Sequence, residues 1–259
     1  MKTFTKDAAL VAKSGRDDFD FHDPDAASIR KAFGAHIKLS KLGDVCISVG
    51  QGKTPAKDAY TDAGVRILKV KNVPGIGIRW GEKFYVSEAH YAKAKKAGVQ
   101  EGDILMLCAA HNKEYIGRCD LVRDLAANIP GGKVCSVAEL IIIRPNPKII
   151  LPEFLLTYVR MPMVLEEIIR MVKGQTAHLY PSDLRELEVV VPSLDVQRKI
   201  ADAWTKAEAD YIRRTREAQE DLERARKAAE AAIMAVEDSV QTNGTGAMPL
   251  FKGLHTRPG

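Results

Sequence analysis

Residues 196–238 contain neither glycine nor proline. Apolar and small residues recur through them at heptad spacing. One row is Trp204, Tyr211, Ala218, Ala225 and Ala232; the other is Thr215, Leu222, Ala229 and Val236. At 1.5 Å per residue such a segment makes a helix of roughly 60 Å. A single amphipathic helix of that length is not stable alone in water and needs a partner along its seam. Alanines in the seam imply close helix approach. Outside it the charges are mixed, with Arg213, Arg214, Arg216, Glu217, Glu220, Asp221, Glu223, Arg224, Arg226 and Lys227. The pattern predicts a long coiled-coil helix over 196–238. Its partner-facing positions are Trp204, Tyr211, Ala218, Leu222, Ala225, Ala229, Ala232 and Val236.

Residues 36–195 have a different texture, in which strand-like runs alternate with Gly, Pro and Asn. Val45–Val49 is one such run. Val65–Val70 alternates apolar and basic residues, the period-2 signature of a half-buried strand. Ile104–Cys108 and Leu140–Ile143 are continuous apolar runs, expected of strands buried on both faces. Helical patterns cover Glu88–Ala97, with Gly98 as a stop, and about 152–172, with Pro152 early in the helix and Phe154, Leu155, Tyr158, Val159, Leu165, Ile168 and Ile169 at 3–4 spacing. The mix predicts an α+β domain with a twisted, partly closed β-sheet and packed helices.

The flanks read as appendages. Residues 1–35 are polar; Asp17, Asp18, Asp20, Asp23 and Asp25 surround Phe19 and Phe21 without the Gly and terminal Glu of a calcium loop. A solvated arm is expected there, with a short helix over 26–34 ended by Gly34. Residues 239–259 read as a disordered tail. The N-terminus lacks the apolar core of a secretory signal, and no apolar run approaches a membrane span; a cytoplasmic location is expected. Cys46, Cys108, Cys119 and Cys135 form no CxxC or CxxH pair, so they are expected as buried thiols rather than zinc ligands. The formal net charge of +5 is compatible with a nucleic-acid partner without demanding one.

Several short motifs stand in a definite order: KLGDV (41–45), GQGKTP (50–55), GDIL (102–105) and IGRC (116–119). Then comes GQTAHLYPSDLRELEVVVPSLDVQRKIA (174–201), running into the long helix. This order resembles the specificity subunits of type I restriction–modification enzymes. In that family a target-recognition domain opens with a K-LG-D strand and a G-TP segment. A GDIL strand and an IGR turn follow. The closing signature is carried here by Gly174, Leu179, Asp183, Leu184, Pro192, Gln197 and Ile200. Two features depart from the family pattern. The family carries two recognition domains and two helices, and this chain has one of each. The Gly–Thr pair before the IGR turn is replaced by His111–Asn112–Lys113–Glu114–Tyr115.

The resemblance implies a non-catalytic DNA-binding subunit that joins methyltransferase subunits and restriction subunits. S-adenosylmethionine, ATP and Mg2+ are expected only in those partners, and no cofactor or metal in this chain. A half-size unit with an unpaired seam implies a homodimer with antiparallel helices and a recognition domain at each end. Such a dimer reads a split target with inverted half-sites. The same module fits a type IIB or phage-defence methyltransferase, or one half of a split specificity subunit. From another class, a coiled-coil adaptor binding protein also fits.

Base reading needs Arg, Lys, Asn or Gln at groove edges, and phosphate holding needs Lys, Arg, hydroxyls and backbone amides. Four segments supply them. In 50–57, Gln51, Lys53 and Thr54 are candidates, with Gly50 and Gly52 allowing close approach to a phosphate; the full nucleotide P-loop pattern is absent. In 69–79, Lys69 and Lys71 share a strand face by alternation, Asn72 is suited to an adenine edge, and Arg79 follows. In 173–180, Lys173, Gln175, Thr176, His178 and Tyr180 occupy a Gly-led loop. A fourth segment offers His111, Asn112, Lys113 and Arg118. No [ND]PP[YF], PD…ExK, GxSxG or HExxH pattern occurs, and Gly75–Ile76–Gly77 lacks the third glycine of a dinucleotide fingerprint.

Overall fold

The computed structural model describes Ile29, residues 39–94, 97–174 and 177–242, with side chains through 235. Two compact units result, Met1–Glu208 and Ala209–Gly259. Apart from Ile29, which is buried, the expected arm and its short helix lie outside the described residues.

The first unit is layered. In chain order it contains β1 (Leu39–Lys41), α1 (Leu42–Val45), β2 (Cys46–Gln51), β3 (Tyr60–Thr61), β4 (Val65–Leu68), β5 (Tyr85–Val86), α2 (Glu88–Lys93), β6 (Ile104–Leu107), β7 (Cys119–Leu121), α3 (Leu125–Asn128), β8 (Val134–Ser136), β9 (Leu140–Pro145), α4 (Pro152–Val159), α5 (Pro162–Arg170), α6 (Pro181–Leu184), β10 (Glu188–Val190) and the start of α7 (Leu194–Thr242). The architecture is α+β, as expected. The described strands form three open sheets rather than one partly closed sheet: β1-β10, β2-β9-β6-β7 and β3-β5-β4-β8. Among the described strands, only β4 and β8 pair in parallel.

The central sheet explains the two apolar runs. Ile104, Met106, Ile141 and Ile143 enter one core, with Phe154, Leu155 and Ile168 of the helices. Leu105, Leu107, Leu140 and Ile142 enter a second core, with Val65, Ile67 and Val134 of the outer sheet. Alternation persists, but both faces are apolar because both are covered. Each such side chain contributes about 1.5–3 kcal/mol by burial.

Several local expectations are corrected. Lys41 ends β1, and Leu42–Val45 form a helical turn instead of a strand. Val65–Leu68 are all buried, Arg66 included; its Nη2 donates to the Trp80 and Glu82 carbonyls at 3.0 and 3.2 Å. The basic residue in that alternating run therefore pins a loop instead of facing solvent. The helix after Ser87 ends at Lys93, short of Ala97. The single helix expected over 152–172 is two, because Pro162 has no amide hydrogen to continue α4 and instead starts α5.

Two buried polar residues explain the motifs. Asp103 of GDIL is fully buried, and its two carboxylate oxygens accept from Nε and Nη2 of Arg144, each at 2.7 Å. Gln197 of the closing signature is also fully buried. It accepts from the Leu151 amide and donates to the Ile149 and Pro192 carbonyls, fastening the start of α7 to the domain.

The helix α7 runs through Thr242, four residues into the segment read as tail; the remainder of that segment lies outside the described residues. In the second unit Tyr211, Leu222, Ile233 and Met234 are 60, 72, 63 and 67% exposed. Ion pairs such as Arg213–Glu217 and Arg226–Glu230 line its surface. The side chain of Val236 lies outside those described. No described helix is long and apolar enough to cross a membrane.

Candidate nucleic-acid interface

The strand registers bring the candidate loops together. Gln51 at the end of β2 stands opposite Ile141, and Leu107 at the end of β6 stands opposite Leu140. Both strand ends therefore meet the start of β9. Three residues separate the end of β8 from the start of β9, and Ser136 at the end of β8 pairs with Leu68 at the end of β4. The segments after β2, β4, β6 and β8 thus leave from one end of the layered unit. A hairpin joins them. Lys173 and His178 exchange backbone hydrogen bonds at 2.9 and 3.0 Å, and the Leu179 amide donates to the Cys108 carbonyl at 2.8 Å. Gly174 opens this turn with φ +80°. Gln175 and Thr176 lie outside the described residues.

Gln51 and His178 meet directly, Nε2 to Nε2 at 3.4 Å. Gln51 also donates to the Ala138 carbonyl and approaches the Cys108 sulfur at 3.6 Å. His178 packs on Tyr180, ring centres 4.5 Å apart, and Tyr180 is 45% exposed. Two of the four segments therefore form one polar and aromatic patch. Thr54 donates to Glu139 at 2.9 Å and accepts from the Ala138 amide at 3.0 Å. Its hydroxyl closes a loop. Lys173 is ion-paired with Asp183 at 2.9 Å. A Cβ on Gly52 would lie 2.0 Å from the Val137 carbonyl oxygen, so this glycine serves the close approach of the chain to itself.

The 69–79 segment needs the largest correction. Val70–Asn72 form a 3-10 turn, so Lys69 and Lys71 do not share a strand face. The Lys69 ammonium sits over the rings of Tyr60 and Phe84, at 4.1 and 4.4 Å. Asn72 is fully buried. Its Oδ1 accepts from the Lys69 amide, and its Nδ2 donates to the Arg79 and Glu82 carbonyls. With every polar atom committed, Asn72 has none left for adenine.

In the 111–118 segment Asn112 accepts from the Glu114 amide, and the Arg118 guanidinium lies 4.1 Å from the centre of the Tyr115 ring. His111, Lys113 and Arg118 are exposed. Across these segments Lys53, Lys71, Arg79 and Lys113 are exposed and have no ion-pair partner among the described residues. Lys57 and Arg118 are exposed as well, and together these side chains combine positive charge with exposure at the surface.

Cys108, Cys119 and Cys135 are buried as expected and Cys46, at the far end of β2, is half-buried; burial pushes Cys46, Cys108 and Cys119 up to about 12 and Cys135 up to about 11. Residues the sequence did not single out also shape the site. Glu139 and Ala138 organise Thr54 and Gln51. Asp120, fully buried, accepts from the Gly75 and Gly77 amides and pairs with Arg160 at 2.9 Å. Arg160 also pairs with Glu208. Beside the first turns of α7, Val196 and Ile200 border an apolar groove of about 330 Å³ with Phe154, Tyr158, Met161 and Val190; the two are 44 and 42% exposed.

A family model described as the type I restriction modification DNA specificity domain matches residues 36–224. The fold is similar to a chain solved in work on complex assembly and conformational transition of the type I R-M system. Sequence identity is 19% and the TM-score 0.53, over 75% of this chain and 45% of that one. It is also similar to the HsdS subunit from Thermoanaerobacter tengcongensis, at 19% identity and a TM-score of 0.50, over 72% of this chain and 40% of that one. This chain thus spans less than half the length of these solved relatives. No curated protein matches it significantly.

Proposed function

The chain belongs to the type I restriction modification DNA specificity family, and from that premise we propose that it is a non-catalytic specificity subunit that reads double-stranded DNA. The observation that carries this is the gathering of the segments after β2, β4, β6 and β8 at one end of the domain, with Lys53, Lys71, Arg79, Lys113 and Arg118 exposed on them. Long charged side chains on loops above a rigid scaffold suit phosphate contact and groove reading. Gln51, His178 and Tyr180 supply a central polar and aromatic patch. Lys69, Asn72, Thr54 and Lys173 serve this surface indirectly, by holding its loops.

The exposed apolar residues of α7 require a partner, and the proposal assigns them to a second copy. Two helices pack antiparallel along Trp204, Tyr211, Ala218, Leu222, Ala225, Ala229 and Ala232. The paired helices set the spacing of two inverted half-sites and offer a surface to methyltransferase and restriction subunits, which carry S-adenosylmethionine, ATP and Mg2+. The test is to co-express the chain with its methyltransferase partner and map methylated adenines genome-wide. A bipartite site with inverted halves is expected, disappearing when the chain is deleted. Two unrelated half-sites would replace the homodimer with a pair of different half-subunits. Methylation unchanged by deletion would sink the specificity role.

A further inference from the structure

The Gly75–Ile76–Gly77 turn fails as a nucleotide fingerprint, yet it is braced from two sides. At its base the Arg79 amide donates to the Asn72 carbonyl and the Asn72 side chain donates to the Arg79 carbonyl, both at 2.9 Å. At its tip the Gly75 and Gly77 amides donate to the two carboxylate oxygens of Asp120, at 2.8 and 2.6 Å. The glycines have φ of +91° and +105°, a conformation that side-chain-bearing residues rarely adopt. Asp120 is tied through Arg160 to Glu208 of α7.

Between the two glycines Ile76 is 47% exposed. One exposed apolar side chain signifies little by itself. Here, however, a fully buried carboxylate, costly to desolvate, is spent on fixing the two amides that flank it. Stability alone favours the opposite arrangement, with the isoleucine inside and the acid outside. The turn also sits among cations. Arg79 follows two residues later and is exposed. Arg118 is exposed as well, and its Cβ lies 4.0 Å from where a Gly75 Cβ would be.

We propose that Ile76 is a base-contacting, specificity-determining residue, carried into the major groove against the C5-methyl group of a thymine, with Arg79 and Arg118 on nearby phosphates. Asp120 is its positioning residue. An isoleucine has neither donor nor acceptor, and the thymine methyl is the apolar feature on a major-groove base edge. A turn fixed before binding loses little entropy when it docks. This assignment rests on the DNA-reading role proposed above.

The experiment selects a randomised duplex library on the full chain assembled with its methyltransferase partner. The wild type should enrich a defined sequence. Ile76→Ala, at an exposed position that leaves the fold intact, should lose preference at one thymine and keep every other position. Replacing that thymine by deoxyuridine should weaken the wild type about fourfold, the equivalent of about 0.8 kcal/mol for one buried methyl-sized group, and leave Ile76→Ala unaffected. Asp120→Asn should relax the same position and speed hydrogen exchange at the Gly75 and Gly77 amides. An unchanged sequence preference in Ile76→Ala, or equal weakening of both proteins by deoxyuridine, overturns the contact. Uniform weakening at all positions in Asp120→Asn overturns the positioning role. A wild type that enriches no sequence is a separate failure, that of the DNA-reading role itself.

Discussion

Asp103 and Asp120 are both fully buried carboxylates, each paired with an arginine, and they do different work. Burial pushes both carboxyls above the usual carboxylate range. What opposes that push differs. For Asp103 it is first the hydrogen-bonded guanidinium of Arg144, which joins the start of β6 to the end of β9. For Asp120 it is first the amides of Gly77 and Gly75, and only then the charge of Arg160. One acid fastens strand to strand. The other fastens a loop to the sheet edge. The same chemistry therefore supports the scaffold in one place and presentation in the other, and the two should separate under mutation.

The largest effect is expected at the scaffold. Asp103→Ala leaves the Arg144 guanidinium without its partner, at a cost of about 3–5 kcal/mol. The urea midpoint should fall strongly while the DNA sequence preferred by the surviving folded protein stays the same; a changed preference would erase the distinction. A smaller effect is expected from Asn72→Ala. Its partners, the Lys69 amide and the Arg79 and Glu82 carbonyls, lose their hydrogen bonds at a cost of about 1–3 kcal/mol. Faster hydrogen exchange should be confined to residues 69–83; spreading into β6 and β9 would mean that loop and scaffold are one cooperative unit. The smallest stability effect belongs to Lys53→Ala. This exposed substitution should change unfolding free energy by no more than about 0.5 kcal/mol. It should still reduce the salt slope of DNA binding by about one, and an unaltered slope would remove Lys53 from the phosphate contacts.

The scaffold was far more legible in the sequence than the loops. Ile104–Leu107 and Leu140–Ile143 announced strands buried on both faces because continuous apolar character has few other uses. The absence of Gly and Pro marked α7. Asp103 and Gln197 sat in recognisable motifs, although their partners, 41 and 46 residues distant, were not visible. Loop residues misled for a physical reason: a polar side chain in a loop looks the same in sequence whether it faces water or closes the loop. Asn72, Lys69, Thr54 and Lys173 suit DNA contact by residue type, and each holds its own loop in the structure. Arg66 looked solvent-facing by alternation and is buried against two carbonyls. The break between α4 and α5 was signalled by Pro162, which apolar spacing on either side outweighed. Asp120, Arg160 and Glu208 carry no periodic signal, since their pairing spans 40 and 48 residues. The one available hint of the braced turn was an isoleucine set between two glycines.

The double-sided burial of β6 and β9 has a consequence for how such a chain diversifies. A change at Met106 or Ile142 disturbs one core directly and the other through the shared backbone, so drift along these strands meets resistance on both sides. The segments that leave the strand ends are anchored at a few buried positions such as Asn72 and Ile116, while Lys53, Lys71, Ile76 and Lys113 between them are exposed. Mutational tolerance is thus expected to be graded along the strand axis, rising at the exposed positions where the sheets end.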